Sequence, residues 1–172
     1  NADKSVMIYT SRSSAGTHTI EDLFISERQG DSTYTKGVAI EELQTEGNES
    51  AHTLSKDGTI LIFTACQRRD SQGGCDLYIT FLKSNGWSEP RNLGPTINSR
   101  FFDSQPCLSA DNKTLYFSSE RKNGFGGRDL WMSRLKDIGG WSKPVNLGES
   151  INSKGNEENP YFHPDNTTLY FE

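Results

Sequence analysis

DGTILIFTA (57–65), DNKTLYFSS (111–119) and DNTTLYFE (165–172) are one phrase repeated along the chain, and the weaker DKSVMIYTS (3–11) precedes them in step. The leading residues Asp3, Asp57, Asp111 and Asp165 stand 54 apart. The likeness extends outward. Trp87, Pro90, Asn92, Leu93, Gly94, Ile97, Asn98, Ser99 and Pro106 recur as Trp141, Pro144, Asn146, Leu147, Gly148, Ile151, Asn152, Ser153 and Pro160. Self-similarity at a constant spacing of this size marks a repeat architecture, in which each unit buries its apolar face against its neighbours. The units run 3–56, 57–110 and 111–164, with a fourth beginning at 165–172, and together form a single segment over 1–172.

Within a unit, four β-rich runs alternate with turn signals. An Asp-Gly or Asp-Asn turn opens the first run, residues 114–119 in the third unit. A Gly-rich loop leads to the second run, 129–133, matched by 76–80 and 22–26. The third run, 141–145, carries Pro144, which suits an edge strand because proline cannot donate to a ladder. A polar connection then reaches a fourth run, 160–163. Residues 37–44 (GVAIEELQ) could pass for a short helix, but the repeat register predicts a strand there. The expected class is all-β, with blades of four antiparallel strands.

Composition narrows the partners. Only 32% of residues are hydrophobic and 16 are Gly, which fits many short strands and turns. A net charge of −5 argues against a nucleic-acid backbone as the main partner. No run reaches the roughly 18 apolar residues of a membrane span. His18, His52 and His163 are scattered and the three cysteines fit no zinc spacing, so no metal site is expected from them.

One slot in the repeat changes chemistry from unit to unit. It holds Arg12 and Glu21, then Cys66 and Cys75, then Glu120 and Arg128. Two opposite charges, two cysteines and two reversed charges share a position best explained by residues facing each other across a hairpin. A Cys66–Cys75 disulfide is therefore predicted, and with it an oxidising compartment: the periplasm or the cell exterior. Cys107 is expected to pack as a small apolar group beside Leu108.

The stretches SADNKTLYFSSERKNGFGGRDLW (109–131), GGWSKPVNLGESIN (139–152) and NEENPYFHPDNTTLYF (156–171) resemble the WD-like (TolB-type) β-propeller repeat. They look most like the version found in bacterial envelope proteins that carry an OmpA-like peptidoglycan-binding domain. The likeness is strongest over residues 57–172. The first unit lacks the Gly-Trp and Asn-Leu-Gly signatures and has Thr33-Tyr34 and Val38-Ala39-Ile40 nearby. The resemblance implies a propeller fold and a location in the envelope, periplasmic, associated with the outer membrane or at the cell surface. It also implies that the run with Pro is the innermost strand, so the chain enters and leaves on the second strand of a blade. Three units are too few to close a ring of 4–8 blades. The chain is expected to be a segment of a larger propeller, with two copies completing a ring as the alternative.

No catalytic grouping is expected. Asp22, Asp76 and Asp129 precede each second strand and could suggest paired carboxylates, but a residue needed in every blade reads as structural. Ser109-Ala110-Asp111 is similar to a sialidase Asp-box, yet Lys113 stands where that motif has Gly. There is no Gly-x-Ser-x-Gly elbow, and Gly124-Phe125-Gly126-Gly127 reads as a hairpin loop, not a phosphate cradle.

Two candidate sites emerge. Glu49, Asp103 and Glu157 hold one repeat position, three residues before the expected inner strand. They would form an acidic ring at the channel mouth, able to take calcium through oxygen ligands or to meet a basic partner; no other cofactor is expected. Loops 67–74, 95–105, 121–127 and 149–159 differ between units, and carry Phe101, Phe102 and Phe125 with Arg68 and Arg121, residue types common in interface hot spots. The expected function is a non-catalytic scaffold for envelope or secretion-system proteins. A glycan or peptidoglycan-fragment binder, or the propeller of a hydrolase whose catalytic part lies elsewhere, are the alternatives.

Overall fold

The computed structural model describes residues 5–15, 18–165 and 167–172. These fold into antiparallel sheets with a single 3-10 turn, Glu41–Leu43, as their helical content. The first sheet is β1 (Val6–Ala15), β2 (His18–Glu27) and β3 (Val38–Ala39), paired in that order. In the second, β4 (Glu49–Leu54), β5 (Ile60–Cys66) and β6 (Cys75–Lys83) pair in order, and both β7 (Gly86–Trp87) and β8 (Arg91–Asn92) lie against β6. The third repeats the plan with β9 (Asp103–Leu108), β10 (Thr114–Ser119), β11 (Asp129–Arg134) and β12 (Val145–Asn146). A fourth sheet holds β13 (Tyr161–Phe162) and β14 (Leu169–Tyr170).

The repeated phrase becomes the first strand of the first sheet and the second strand of the other three, and its unbroken apolar run has a physical cause. In β5, Leu61, Phe63 and Ala65 enter one core with Leu23, Ile40, Leu43 and Tyr78. Ile62 turns the other way, into a second core with Leu77, Ile97, Leu115, Phe117 and Trp131. A strand buried on both faces needs no polar alternation. The sheets therefore stack face to face, each core belonging to two successive repeats.

The turns before these strands close through their own side chains. Asp57 accepts from Ser55 Oγ at 2.6 Å and from the Thr59 amide at 3.1 Å; Asp111 does the same with Ser109 Oγ and the Lys113 amide, at 2.6 and 3.0 Å. These bonds, the serine hydroxyls first, hold both carboxyls below the usual range. Asp165 is depressed likewise, chiefly by the Thr167 amide.

The variable slot is a facing pair in every repeat. Arg12 lies opposite Glu21 with Nε–Oε1 at 2.6 Å, and Arg128 Nε meets Glu120 Oε1 at 3.0 Å. Between them Cys66 and Cys75 are cross-strand partners joined by a disulfide over nine residues of sequence separation. Replacing both cysteines with Ser should lower stability by roughly 2–3 kcal/mol, read as a fall in urea midpoint. Reductant should reproduce that fall in the native chain and leave the variant unchanged; an unchanged midpoint on reduction would contradict the role.

Three strand expectations are corrected. Residues 37–44 are only briefly strand, at β3; the chain then turns through Glu41–Leu43 to drop Leu43 fully into the core. The run at 141–145 pairs late, as Val145–Asn146, with Trp141 making an isolated bridge to Leu135. The run at 160–163 is ladder only at Tyr161–Phe162.

Candidate functional site

Glu49 and Asp103 are the first residues of β4 and β9, not three residues ahead of them. They are fully buried and Glu157 is 6% exposed, so these carboxylates do not form an open ring. Each is taken by a hydroxyl four residues upstream: Thr45 Oγ1 donates to Glu49 at 2.7 Å, Ser99 Oγ to Asp103 at 2.7 Å, and Ser153 Oγ to Glu157 at 2.5 Å. Arginines complete two of the sites. Arg68 Nη2 lies 3.2 Å from Glu49 Oε1 and also donates to the Leu43 carbonyl. Arg121 Nη2 donates to Asp103 Oδ1 at 2.6 Å and to the Ile97 carbonyl at 2.5 Å. Burial of a carboxylate is offset by charge-assisted bonds of this kind. Glu157 Oε2 has no hydrogen-bond partner among the described residues.

Arg68 and Arg121 are consequently internal struts, not exposed anchors; their side chains are 12% and 13% accessible. Each guanidinium also lies over aromatic rings, Arg68 at 5.0 Å from the Tyr78 centroid and Arg121 at 4.8 Å from that of Phe117. Phe101 and Phe102 are half-buried, with the Arg100 guanidinium 5.3 Å from the first ring and that of Arg128 4.4 Å from the second. Phe125 alone of the three is well exposed, at 48%. Among the described residues, no group of three or more His, Cys, Asp or Glu is placed to hold a metal ion.

Asp76 and Asp129 are consumed by their loops. Asp76 accepts from the Gln72 and Gly73 amides at 2.6 and 3.1 Å and from Asn92 Nδ2 at 2.7 Å. Asp129 repeats this with Phe125, Gly126 and Asn146, at 2.6, 3.1 and 3.0 Å. The Asn-Leu-Gly and Ile-Asn-Ser signatures are part of the same network. Asn152 Oδ1 accepts from the Leu130 amide at 2.8 Å, and its Nδ2 donates to the Leu130 carbonyl at 3.0 Å and to Asn146 Oδ1 at 2.8 Å. Asn98 does likewise at Leu77 and Asn92.

The inner strands share a feature that no pattern of residue types announces. Ala51, Gln105 and Asn159 all have positive φ, at 32°, 54° and 52°, and stand 54 residues apart. The ladder slips at the first two, between Ser50 and His52 and opposite Tyr116/Ser118. A bulge of this kind re-aims side chains and invites cross-links. Gln105 Oε1 accepts from the Asn159 amide at 3.1 Å, and the Gln105 amide donates to Thr64 Oγ1 at 3.1 Å. Further along, Thr53 Oγ1 accepts from the Leu108 amide at 3.1 Å. Cys107 occupies the matching position one repeat later, its Sγ 3.1 Å from the Phe162 amide, so it is an inter-sheet acceptor as well as the buried apolar group that the sequence suggests. Burial raises its thiol pKa. A groove of about 660 Å³ follows these strands, lined by Leu54, Leu108, Ser109, Tyr161 and Phe162 among others.

His52 joins the first two sheets. Its Nε2 lies 3.0 Å from the Ile8 carbonyl and must donate to it, which leaves Nδ1 of the neutral ring unprotonated and without a partner among the described residues. Burial, more than this bond, sets the ring's behaviour and lowers its pKa. The unfolded chain therefore binds the proton first. Stability is complete above the unfolded value, about 6.5, and declines as pH falls below it. Denaturation midpoints measured from pH 8 to 5 should show that decline, with a shallower one in His52→Gln; equal slopes would remove His52 from the account.

The four loops that vary between repeats are packed into one continuous surface. A Cβ on Gly73 would meet the Phe101 carbonyl at 2.0 Å, and one on Gly126 the Gly155 carbonyl at 2.2 Å. Glycine at both positions lets neighbouring loops touch backbone to backbone. The Gly127 amide donates to Gly155 at 2.8 Å, and Arg121 ties 95–105 to 121–127 through Ile97.

Among the described residues no helix is long and apolar enough to cross a membrane. No protein-family model matches the sequence, and no curated protein matches it. Solved structures do resemble the fold. TolB from Acinetobacter baumannii superposes with a TM-score of 0.59 at 14% identity, over 99% of this chain and 35% of that one. A thermostable family-43 glycoside hydrolase gives 0.61 at 9%, over 96% of this chain and 60% of the other. A puromycin hydrolase S511A mutant complexed with PGG gives 0.55 at 13%, over 87% and 23%. The chain thus spans between about a quarter and three-fifths of these structures, and the likeness establishes a β-propeller-type fold.

Proposed function

We propose that the chain is part of a larger propeller of four-stranded blades and serves as a non-catalytic, cofactor-free platform for protein binding in the bacterial cell envelope. One observation carries this reading. The segments that differ between repeats, 67–74, 95–105, 121–127 and 149–159, are locked together as one surface from which Phe125 projects. A rigid surface with an exposed aromatic loses little entropy on binding. The acidic groups that could have suggested catalysis are engaged in bonds within their own loops. The Cys66–Cys75 disulfide supports an oxidising compartment, hence the periplasm or cell exterior.

The test is a photo-cross-linking residue in place of Phe125 in the native envelope, followed by mass spectrometry of the adducts. A stoichiometric adduct with one envelope or secretion protein is expected, and should be lost when the label is moved to Ile138, an exposed residue outside these loops. Recovery of the chain without adducts would overturn the platform reading.

A further inference from the structure

Successive repeats place opposite charges around the same cleft. In the second sheet that cleft, beside β8, is lined by Asp70, Ser88, Glu89, Pro90, Arg91 and Asn92. The ring at its base is satisfied from within, because Tyr78 Oη donates to Asp70 Oδ1 at 2.7 Å. One repeat later Asp70 becomes Asn123, Glu89 becomes Lys143, Arg91 becomes Val145 and Tyr78 becomes Trp131. Arg69 is matched by Lys122. The cleft widens to about 690 Å³, running between the second and third sheets, a size usual for small-molecule sites.

Among the described residues, no Asp or Glu lines this second cleft. Lys122 and Lys143 are exposed at its edge and make no ion pair among the described residues. Trp131 is 7% exposed, and its Nε1–H is buried with no acceptor among the described residues. A buried donor left unpaired has lost its hydration without compensation, so an acceptor reaching it gains more than an ordinary surface bond. The Arg121 guanidinium, 5.2 Å from the Trp131 ring, is already paired with Asp103, so the free charge at the cleft is that of the two lysines. Two unpaired ammonium groups and an unanswered indole N–H are complementary to a compact oxygen anion.

We propose that the cleft between the second and third sheets binds a carboxylate, with Trp131 Nε1–H as the donor at its base and Lys122 and Lys143 as the charges that draw it in. The carboxylate can belong to a free organic acid or to an acidic peptide side chain. Loops 95–105 and 121–127 contribute both to this cleft and to the Phe125 surface, but carboxylate binding is read at Trp131 and protein capture at Phe125, so the two readings fail separately.

The indole proton reports on the site directly. In the 15N-labelled chain, the Trp131 resonance is assigned by loss in Trp131→Phe. It is then followed while succinate, or a capped di-glutamate peptide, is added into the millimolar range, with sodium chloride of equal ionic strength as control. A saturable downfield displacement is expected with succinate, with the peptide, or with both, and the active probe identifies the source. In Lys122→Gln/Lys143→Gln the apparent affinity should fall roughly tenfold or more. Both lysines are exposed, and the other two indole signals check that this variant is folded. A resonance that follows sodium chloride alone, or that titrates equally in native and variant chains, would overturn the assignment.

Discussion

Arg121→Ala should destabilise the chain by about 3–5 kcal/mol, as expected when one member of a buried ion pair is removed and the other is left uncompensated. Asp103 is fully buried, and Arg121 Nη2 is its charged partner at 2.6 Å. The same guanidinium also caps the Ile97 carbonyl, bonds Ser119 Oγ through Nε at 2.9 Å, and covers Phe117. The loss should therefore exceed that of any surface pair, for which about 0–1 kcal/mol is usual. The partner change Asp103→Leu should be similarly damaging alone. The double variant Arg121→Met/Asp103→Leu should recover part of the loss, since neither charge is then stranded. Urea denaturation of the four chains measures this directly. A single-variant loss below about 1 kcal/mol would mean that water reaches the pair and that burial here is less complete than the geometry shows.

Asn152→Leu is the second large expected effect. Asn152 is 2% exposed and acts as a substitute strand, pairing with both the amide and the carbonyl of Leu130. Leucine fills the space but strands the Leu130 N–H, while the Leu130 carbonyl keeps the Leu147 amide at 3.1 Å and Asn146 Oδ1 keeps the Gly148 amide at 2.8 Å. At about 1–3 kcal/mol for the one unsatisfied buried donor and roughly 0.5–1.5 kcal/mol for each of the two other bonds lost, a total of roughly 2–6 kcal/mol is expected. Asn152→Asp keeps the acceptor for the Leu130 N–H but sets a carboxyl oxygen against the Leu130 carbonyl and Asn146 Oδ1 at a buried position, so it should cost at least as much. Hydrogen exchange at the Leu130 amide discriminates further: protection should collapse in the leucine variant and persist in the aspartate one. Unchanged protection in both would contradict the pairing.

The period, the double-faced apolar runs and the facing Cys66–Cys75 slot were all legible from residue type and spacing. Each reflects a requirement that recurs in every unit, and such requirements leave a periodic trace. The direction in which charged side chains point left no such trace. Arg68 and Arg121 look like solvated loop residues in sequence, yet both turn inward because buried Glu49 and Asp103 start the adjacent strands. The signal was present in Thr45, Ser99 and Ser153, each four residues ahead of a carboxylate, where a hydroxyl is needed only if that carboxylate is to be buried. The left-handed residues Ala51, Gln105 and Asn159 were invisible for a different reason. Left-handed backbone usually advertises itself through glycine, and here three different residue types adopt it under tertiary constraint. The lysine-lined cleft would have emerged from comparing Glu89 with Lys143, a charge inversion at constant spacing.

The hairpin slot has a consequence for how the loops beyond it respond to their surroundings. Arg12–Glu21 and Glu120–Arg128 are ionic and partly exposed, whereas Cys66–Cys75 is covalent. Salt loosens the first and third fasteners and leaves the second untouched; a thiol reductant does the reverse. The three hairpins are thus held by latches that answer to different solvent variables. Ionic strength and redox potential become separate controls over which part of the surface is stiff.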